Sequence, residues 1–177
     1  EEYFCQFRDL YVKLVGELTD LGGNVTCEYF RGWDQGATLE TVYKESIASD
    51  KKRGFTHHGF QKADIWLFVH GRPVTEVCSR GELKMLAWAM VITQGKMKSR
   101  ANDHRVIYLV DDLVSELDVS HRKMLCKSLL EMKGQVMATG IDQKELEASW
   151  SGQLAKVFHV KQGVLSTLSS TLEYQNE

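Results

Sequence analysis

The sequence predicts an α/β fold with a mainly parallel sheet and flanking helices, and three observations carry that expectation. The run Val106-Ile107-Tyr108-Leu109-Val110 is apolar, of strand length and rich in β-branched residues, and it ends abruptly in Asp111 and Asp112, as a strand covered on both faces would. From there to Gly163, strand-like and helix-like stretches alternate, which implies parallel strands joined by right-handed crossovers. Upstream, Leu83, Leu86, Ala87, Met90 and Val91 mark a helix from Ser79 to about Lys98; it is broadly hydrophobic and so belongs to a buried layer.

Taken in order, apolar residues Phe4, Phe7, Leu10, Tyr11, Leu14, Val15 and Leu18 recur at helical spacing from Tyr3 to about Leu21, and Gly22-Gly23 stops them. Asn24 to Trp33 reads as a strand with Val25, Cys27 and Tyr29 on one face. A helix is expected from Thr38 to Ser49, followed by Lys51-Lys52-Arg53 and Gly54. Then come His57-His58, the strand Ile65 to Val69, and a turn holding Pro73, the only proline. The two histidines have no third ligand nearby, so a turn suits them better than a metal. A polar, basic connection from Lys96 to Arg105 leads into the acid-tipped strand, and Trp66, Trp88 and Trp150 read as core.

Beyond Asp118 the pattern gives a helix from Ser120 to Met132 with Met124, Leu125, Leu129 and Leu130 inward, and a strand Gln135 to Thr139. A helix Asp142 to Ser149, a strand Lys156 to Val160, a turn at Gln162-Gly163 and a short last strand follow. This divides the chain into 1–23, a helix that is either packing or the end of a longer arm, 24–165, the main domain, and 166–177, a Ser/Thr-rich tail expected to fray.

Composition narrows the function classes. With 43% apolar and 26% charged residues, 177 residues suffice for one domain with a core. Lys and Arg number 22 against 24 Asp and Glu, a formal charge of -2, so any nucleic-acid binding must come from local patches. Cys5, Cys27, Cys78 and Cys126 form no metal-ligand or redox spacing, which suits free thiols in a reducing, cytoplasmic setting. No apolar run exceeds strand length, which excludes a spanning helix.

Two groups of residues can carry chemistry. Adjacent carboxylates such as Asp111 and Asp112 at a strand tip can hold Mg²⁺ while substrate phosphates complete its shell; equally, they can cap the next helix. Ser79 and Gly81 open the apolar helix, where unpaired N-H groups and the helix dipole favour phosphate. Ser79-Arg80-Gly81-Glu82 is also a capping box, which needs no nucleotide.

The order Cys78-Ser79-Arg80-Gly81-Glu82, apolar strand with Asp111-Asp112, then Ser115-Glu116-Leu117-Asp118 resembles the signature, Walker B and D-loop of ABC-type ATPase heads. The spelling is most similar to the RecF family of bacterial recombination mediators, related to SMC proteins, from about Gly32 to Gly163. The resemblance implies the C-terminal lobe of such a head plus part of a helical arm, working as a homodimer that sandwiches ATP. Asp111 would support Mg²⁺, Asp112 would orient or deprotonate the attacking water, and Ser79, Arg80, Gly81 and Glu82 would meet the partner's nucleotide. Ser115 and Asp118 would line the dimer interface.

It further implies slow ATP hydrolysis, binding to single-strand/double-strand DNA junctions, recombinase loading with RecR and RecO, and no membrane role. Lys62, Lys96, Lys98 and Arg100 are the candidate DNA contacts. Two departures stand out: Thr139 occupies the region where many ABC proteins have a histidine, and Gly59-Phe60-Gln61-Lys62 replaces the family's Gly-Pro-His-Arg. A P-loop is absent, since Gly95-Lys96 is followed by Met97 and preceded by Met90 at the first glycine position. The chain is therefore expected not to turn over ATP alone. The competing expectations are a self-sufficient Mg²⁺-dependent phosphotransferase or nuclease built on Asp111, Asp112 and Asp118, and a non-catalytic interaction module.

Overall fold

The computed structural model describes residues 2–102, 105–132, 134–150 and 156–168. Helix α1 (Glu2–Leu18) buries Phe7, Tyr11, Leu14, Val15 and Leu18 along one stripe, and this stripe lies against helix α4 (Arg80–Asn102) and strand β1 (Val25–Phe30). The Tyr11 hydroxyl crosses the core to donate to the Leu86 carbonyl at 3.2 Å. α1 ends before Leu21 because the Thr19 hydroxyl turns back onto the Val15 carbonyl at 2.9 Å and Gly22 is left-handed. The helix over residues 2–18 is thus one wall of the core.

β1 pairs antiparallel with β2 (Asp64–Val69), from Val25 opposite Val69 to Phe30 opposite Asp64, and β2 turns through His70-Gly71 into the short edge strand β3 (Arg72–Pro73). Both turn residues have positive φ, 50° and 75°, the conformation of tight hairpins. Val25 and Cys27 point into the core while Thr26 and Glu28 face out. One covered face is what an antiparallel sheet tolerates, and it corrects the expected mainly parallel sheet: among the described residues the only parallel pair is the one described below. Trp66 is corrected too. It lies on the outer face, 45% exposed, stacked on Phe30 at 4.9 Å.

Between β1 and β2 stands helix α2 (Leu39–Arg53). The Thr38 hydroxyl accepts from the Thr41 amide at its start, and left-handed Gly54 closes it by donating to the Asp50 carbonyl at 2.8 Å. Lys51, Lys52 and Arg53 therefore form its last turn rather than following it. No residue of α2 is buried.

A four-residue helix α3 (Val74–Val77) leads to α4, which continues through the segment expected as a basic connection, so Lys96, Lys98 and Arg100 are helical. Good helix formers and buried Met97 explain the extension; the Arg100 side chain lies outside the described residues. Gly95, part of the Gly-Lys pair, is a packing glycine: a methyl there would overlap the Tyr108 hydroxyl.

Strand β4 (Ile107–Val110) continues into the short helix α5 (Leu113–Glu116), then helix α6 (Val119–Leu130) and strand β5 (Gln135–Ala138), which lies parallel to β4 with Ile107 opposite Gln135. Tyr108 and Val110 are buried against the helices, but Ile107, Leu109 and Met137 are exposed, Leu109 by 74%. The expectation of a strand covered on both faces is thus met on one. α6 buries Leu125 and Leu129, while Leu130 faces out. Helix α7 (Gln143–Ser149) is capped by Asp142, and strands β6 (Val157–Lys161) and β7 (Val164–Leu168) form a hairpin through Gln162-Gly163. Residues 166–168, assigned to the tail, belong to β7; 169–177 lie outside the described residues.

Candidate functional site

The tip of α4 carries the first group. The Ser79 amide donates to Glu82 Oε2 at 2.7 Å and the Glu82 amide to the Ser79 hydroxyl at 3.3 Å, so the capping box exists as read from the residues. These bonds, chiefly the one from the Ser79 backbone, hold the Glu82 carboxyl below the ordinary range, with His121 adding to the effect. Ser79 and Arg80 are exposed. Around Gly81 a Cβ would meet only His121 Cε1 at 3.9 Å and Ser79 Oγ at 4.0 Å. A side chain would fit there, and glycine inside a helix costs stability. Packing gives no reason for the glycine.

The start of α6 lies beside that tip. Asp118 caps it, its Oδ1 accepting from the Ser120 and His121 amides at 2.9 and 3.0 Å, and its Oδ2 lying 2.5 Å from His121 Nδ1. The His121 backbone bond, then its ring, keep the Asp118 carboxyl below the usual range. Lys84, one turn into α4, donates to the Glu116 carbonyl at 2.9 Å and pairs with its carboxylate. Lys84 thus ties α4 to the 115–118 segment, and His121, bonded to Asp118, lies beside Gly81.

The second group is at the end of β4. Asp112 is left-handed, φ 47° and ψ 48°, which is uncommon outside glycine but tolerated by aspartate. Thr139 fixes it: its hydroxyl accepts from the Asp112 amide at 2.9 Å and donates to Asp111 Oδ1 at 2.6 Å, while its carbonyl accepts from the Leu113 amide at 3.1 Å. Ser115 donates to Asp112 Oδ1 at 2.8 Å. Asp111 is exposed and Asp112 half-buried. One outward-facing carboxylate and a second beside it suit a cation that takes its remaining ligands from phosphate oxygens. Asp111 also borders a cleft of about 250 Å³ whose wall includes Lys84, Trp88, Val91 and Glu116.

The two groups stay separate. Among the described residues, no hydrogen bond or ion pair joins 79–82 to Asp111 or Asp112. No cluster of three possible metal ligands exists among them either. Asp118 is occupied as a cap, so Asp111, Asp112 and Asp118 do not converge. Lys62 is exposed at the far end of the 3-10 turn Phe60–Lys62. Lys98 sits on α4 roughly 27 Å along the axis from Arg80, at 1.5 Å per residue. Sequence reasoning missed His121 and understated Thr139. An Asp-x-x-His start to α6 was the available signal for the first; only β4–β5 pairing reveals the second.

No family model matches the chain. Solved structures give the fold. The recombination mediator protein RecF, solved as RecF-ATPrS in the RecFOR pathway, superposes with TM-score 0.68 at 17% identity over 95% of this chain and 45% of that one. The SMC head bound to the C-winged helix domain of ScpA gives 0.58 at 16% identity over 96% and 44%. The fold is that of an α/β lobe of the RecF and SMC heads. In sequence the chain is 38% identical to the DNA replication and repair protein RecF of Pseudomonas putida over 162 residues, and 37% identical to that of Pseudomonas fluorescens. These alignments take in 91% of this chain and 44% of each relative. The chain belongs to the RecF family and spans less than half the length of the curated relatives it matches.

Proposed function

We propose that this chain is the signature-bearing lobe of a RecF-type head that dimerises around ATP on DNA. Open Gly81 at the exposed tip of α4 is the observation that carries the reading: packing does not require the glycine, and a ligand approaching the backbone would. In this reading Ser79, Arg80, Gly81 and Glu82 meet the terminal phosphates of a nucleotide held by the partner. Glu82 releases the Ser79 amide as the phosphate takes its place. Ser115 and Asp118 line the joint between subunits, their segment tied to α4 by Lys84, with His121 beside Gly81.

Asp111 and Asp112 serve the nucleotide of their own subunit. Asp111, oriented by Thr139, is the Mg²⁺ ligand, and the ion when bound supplies positive charge against the polyphosphate. Asp112, fixed in its left-handed turn, orients or deprotonates the attacking water. The bare apolar face of Ile107, Leu109 and Met137 supports the reading that another part of the head covers this parallel pair, since two strands do not stand alone. That part would bring the Walker A loop.

The whole protein would then bind single-strand/double-strand junctions at gaps in the cytoplasm, hydrolyse ATP slowly and promote recombinase loading with RecR and RecO. The test is to restore the N-terminal part from the P. putida relative and follow mass by light scattering. ATP should convert monomer to dimer, and Ser79→Arg should block the conversion. Dimerisation indifferent to ATP would favour a non-catalytic interaction module. Robust hydrolysis by the 177-residue chain alone, abolished by Asp112→Asn, would favour the self-sufficient phosphotransferase.

A further inference from the structure

The end of α2 and the loop after it form a surface that the nucleotide site does not use. Lys51, Lys52 and Arg53 fill the last turn of α2, Phe55 follows Gly54, and Phe60 and Lys62 lie in the next turn. All six are exposed, Phe60 by 69%. Among the described residues, none of the four cations has a carboxylate within 4.0 Å. The helix dipole accounts for basic residues in a last turn. It does not account for Lys62, outside the helix, or for two phenyl rings left in water.

The loop that carries these groups is held in place. The Gly59 amide donates to the Gly32 carbonyl at 3.2 Å, and Gly32 packs so closely on Gly59 that a side chain there would strike its carbonyl. Phe60 rests edge-on against Trp33 at 5.2 Å, and the Gln61 side chain donates to the His58 carbonyl at 2.9 Å. Phe60 is therefore presented outward from a loop that these contacts hold, and Phe55 lies tilted against His57 at 6.0 Å. Cations interleaved with exposed aromatic rings match a polyanion whose bases can stack, which is single-stranded nucleic acid. A duplex would engage the charges and leave the rings unused.

We infer that the segment from Lys51 to Lys62 binds single-stranded DNA, its four cations on phosphates and Phe55 and Phe60 against bases. This rests on the reading of the chain as part of a DNA-acting head. It places the contact on α2 and its loop, with Lys62, and away from Lys96 and Lys98. On the whole chain the formal charge is -2, so the attraction is local.

The experiment titrates the 177-residue chain into fluorescein-labelled oligo(dT) over a range of KCl. Four phosphate contacts give a slope of log affinity against log salt of about -3. Replacing Lys51, Lys52 and Arg53 together by Gln should reduce the slope by about 2 and weaken binding at low salt more than tenfold. Phe60→Ala should cost roughly tenfold with the slope unchanged. Because Phe60 touches Trp33, Phe55→Ser serves as a second stacking variant, with circular dichroism reporting the fold of each. Lys96→Gln with Lys98→Gln should leave binding intact.

No binding by the parent chain, or an unchanged slope in the triple variant, overturns the inference; the second result would hand the patch to a protein partner. ATP-driven dimerisation is measured separately on the restored protein. It can succeed while the oligo(dT) result fails, and the reverse, so the two readings fall independently.

Discussion

Replacing Gly81 by Ala separates a folding role from a ligand role at the α4 tip. The added methyl would sit 3.9 Å from His121 Cε1 and 4.0 Å from Ser79 Oγ, ordinary van der Waals contact with nothing to displace. The backbone is helical, and Gly81 is not among the glycines with positive φ. Alanine should therefore stabilise the chain by about 0.5–1 kcal/mol through helix propensity and reduced unfolded-state entropy. For a chain of this length that is a rise in Tm of about 1–4 °C, measurable by scanning calorimetry.

The same methyl occupies the space through which a phosphate would reach the first-turn amides. In the protein with its N-terminal part restored, Gly81→Ala should abolish ATP-driven dimerisation while the Tm of the free chain rises. A fall in Tm would show that packing had required the glycine. Retained dimerisation would show that nothing approaches it.

Thr139→Ala should remove the bridge between Asp111 and Asp112 and lower the ATP hydrolysis rate of the restored protein at least tenfold, whereas Thr139→Ser, keeping the hydroxyl, should recover most of it. Burial pushes the Cys27 thiol up to about 11 and the Cys126 thiol up to about 12, so in native protein at pH 8 a thiol reagent should label exposed Cys5 rapidly and those two only after denaturation. Asp118 has a depressed folded-state pKa; its contribution is present above the unfolded carboxylate value of about 4 and fades as pH falls through the lower folded value. Asp118→Asn should flatten that part of an acid titration followed by circular dichroism. Gly95→Ala, forcing a methyl onto the Tyr108 hydroxyl, should destabilise by about 1–3 kcal/mol in urea.

Much of the fold was legible because it rests on local periodicity. The stripe from Phe7 to Leu18 and the capping box from Ser79 to Glu82 are local signals, and each stands where the spacing put it. Strand direction was not legible. The alternation of β1 and β2 was read as strand, yet their antiparallel pairing depends on where α2 and its loop return the chain, which no local pattern encodes. The five apolar residues before Asp111 predict a strand buried on both sides, but Leu109 is exposed because no described residue covers that face.

The candidate site divides along the same line. The signature-like tip and the acid pair were visible as motifs in order. What arranges them was not: Thr139 acts across 27 residues of sequence to hold Asp112, and Lys84 reaches 32 residues to Glu116. Such partners are set by the β4–β5 register and by the tertiary placement of α4. Trp66 misled for a related reason, because a large aromatic in a strand is normally core and here the outer face carries it.

The central claim is that each nucleotide is served by the acid pair of one subunit and the α4 tip of the other. Mixing restored protein carrying Asp112→Asn with restored protein carrying Ser79→Arg tests it most directly, because neither variant alone should hydrolyse ATP. Mixed dimers should regain one intact site and so hydrolyse ATP at a rate that neither variant reaches alone. A mixture as inactive as its components would contradict the account.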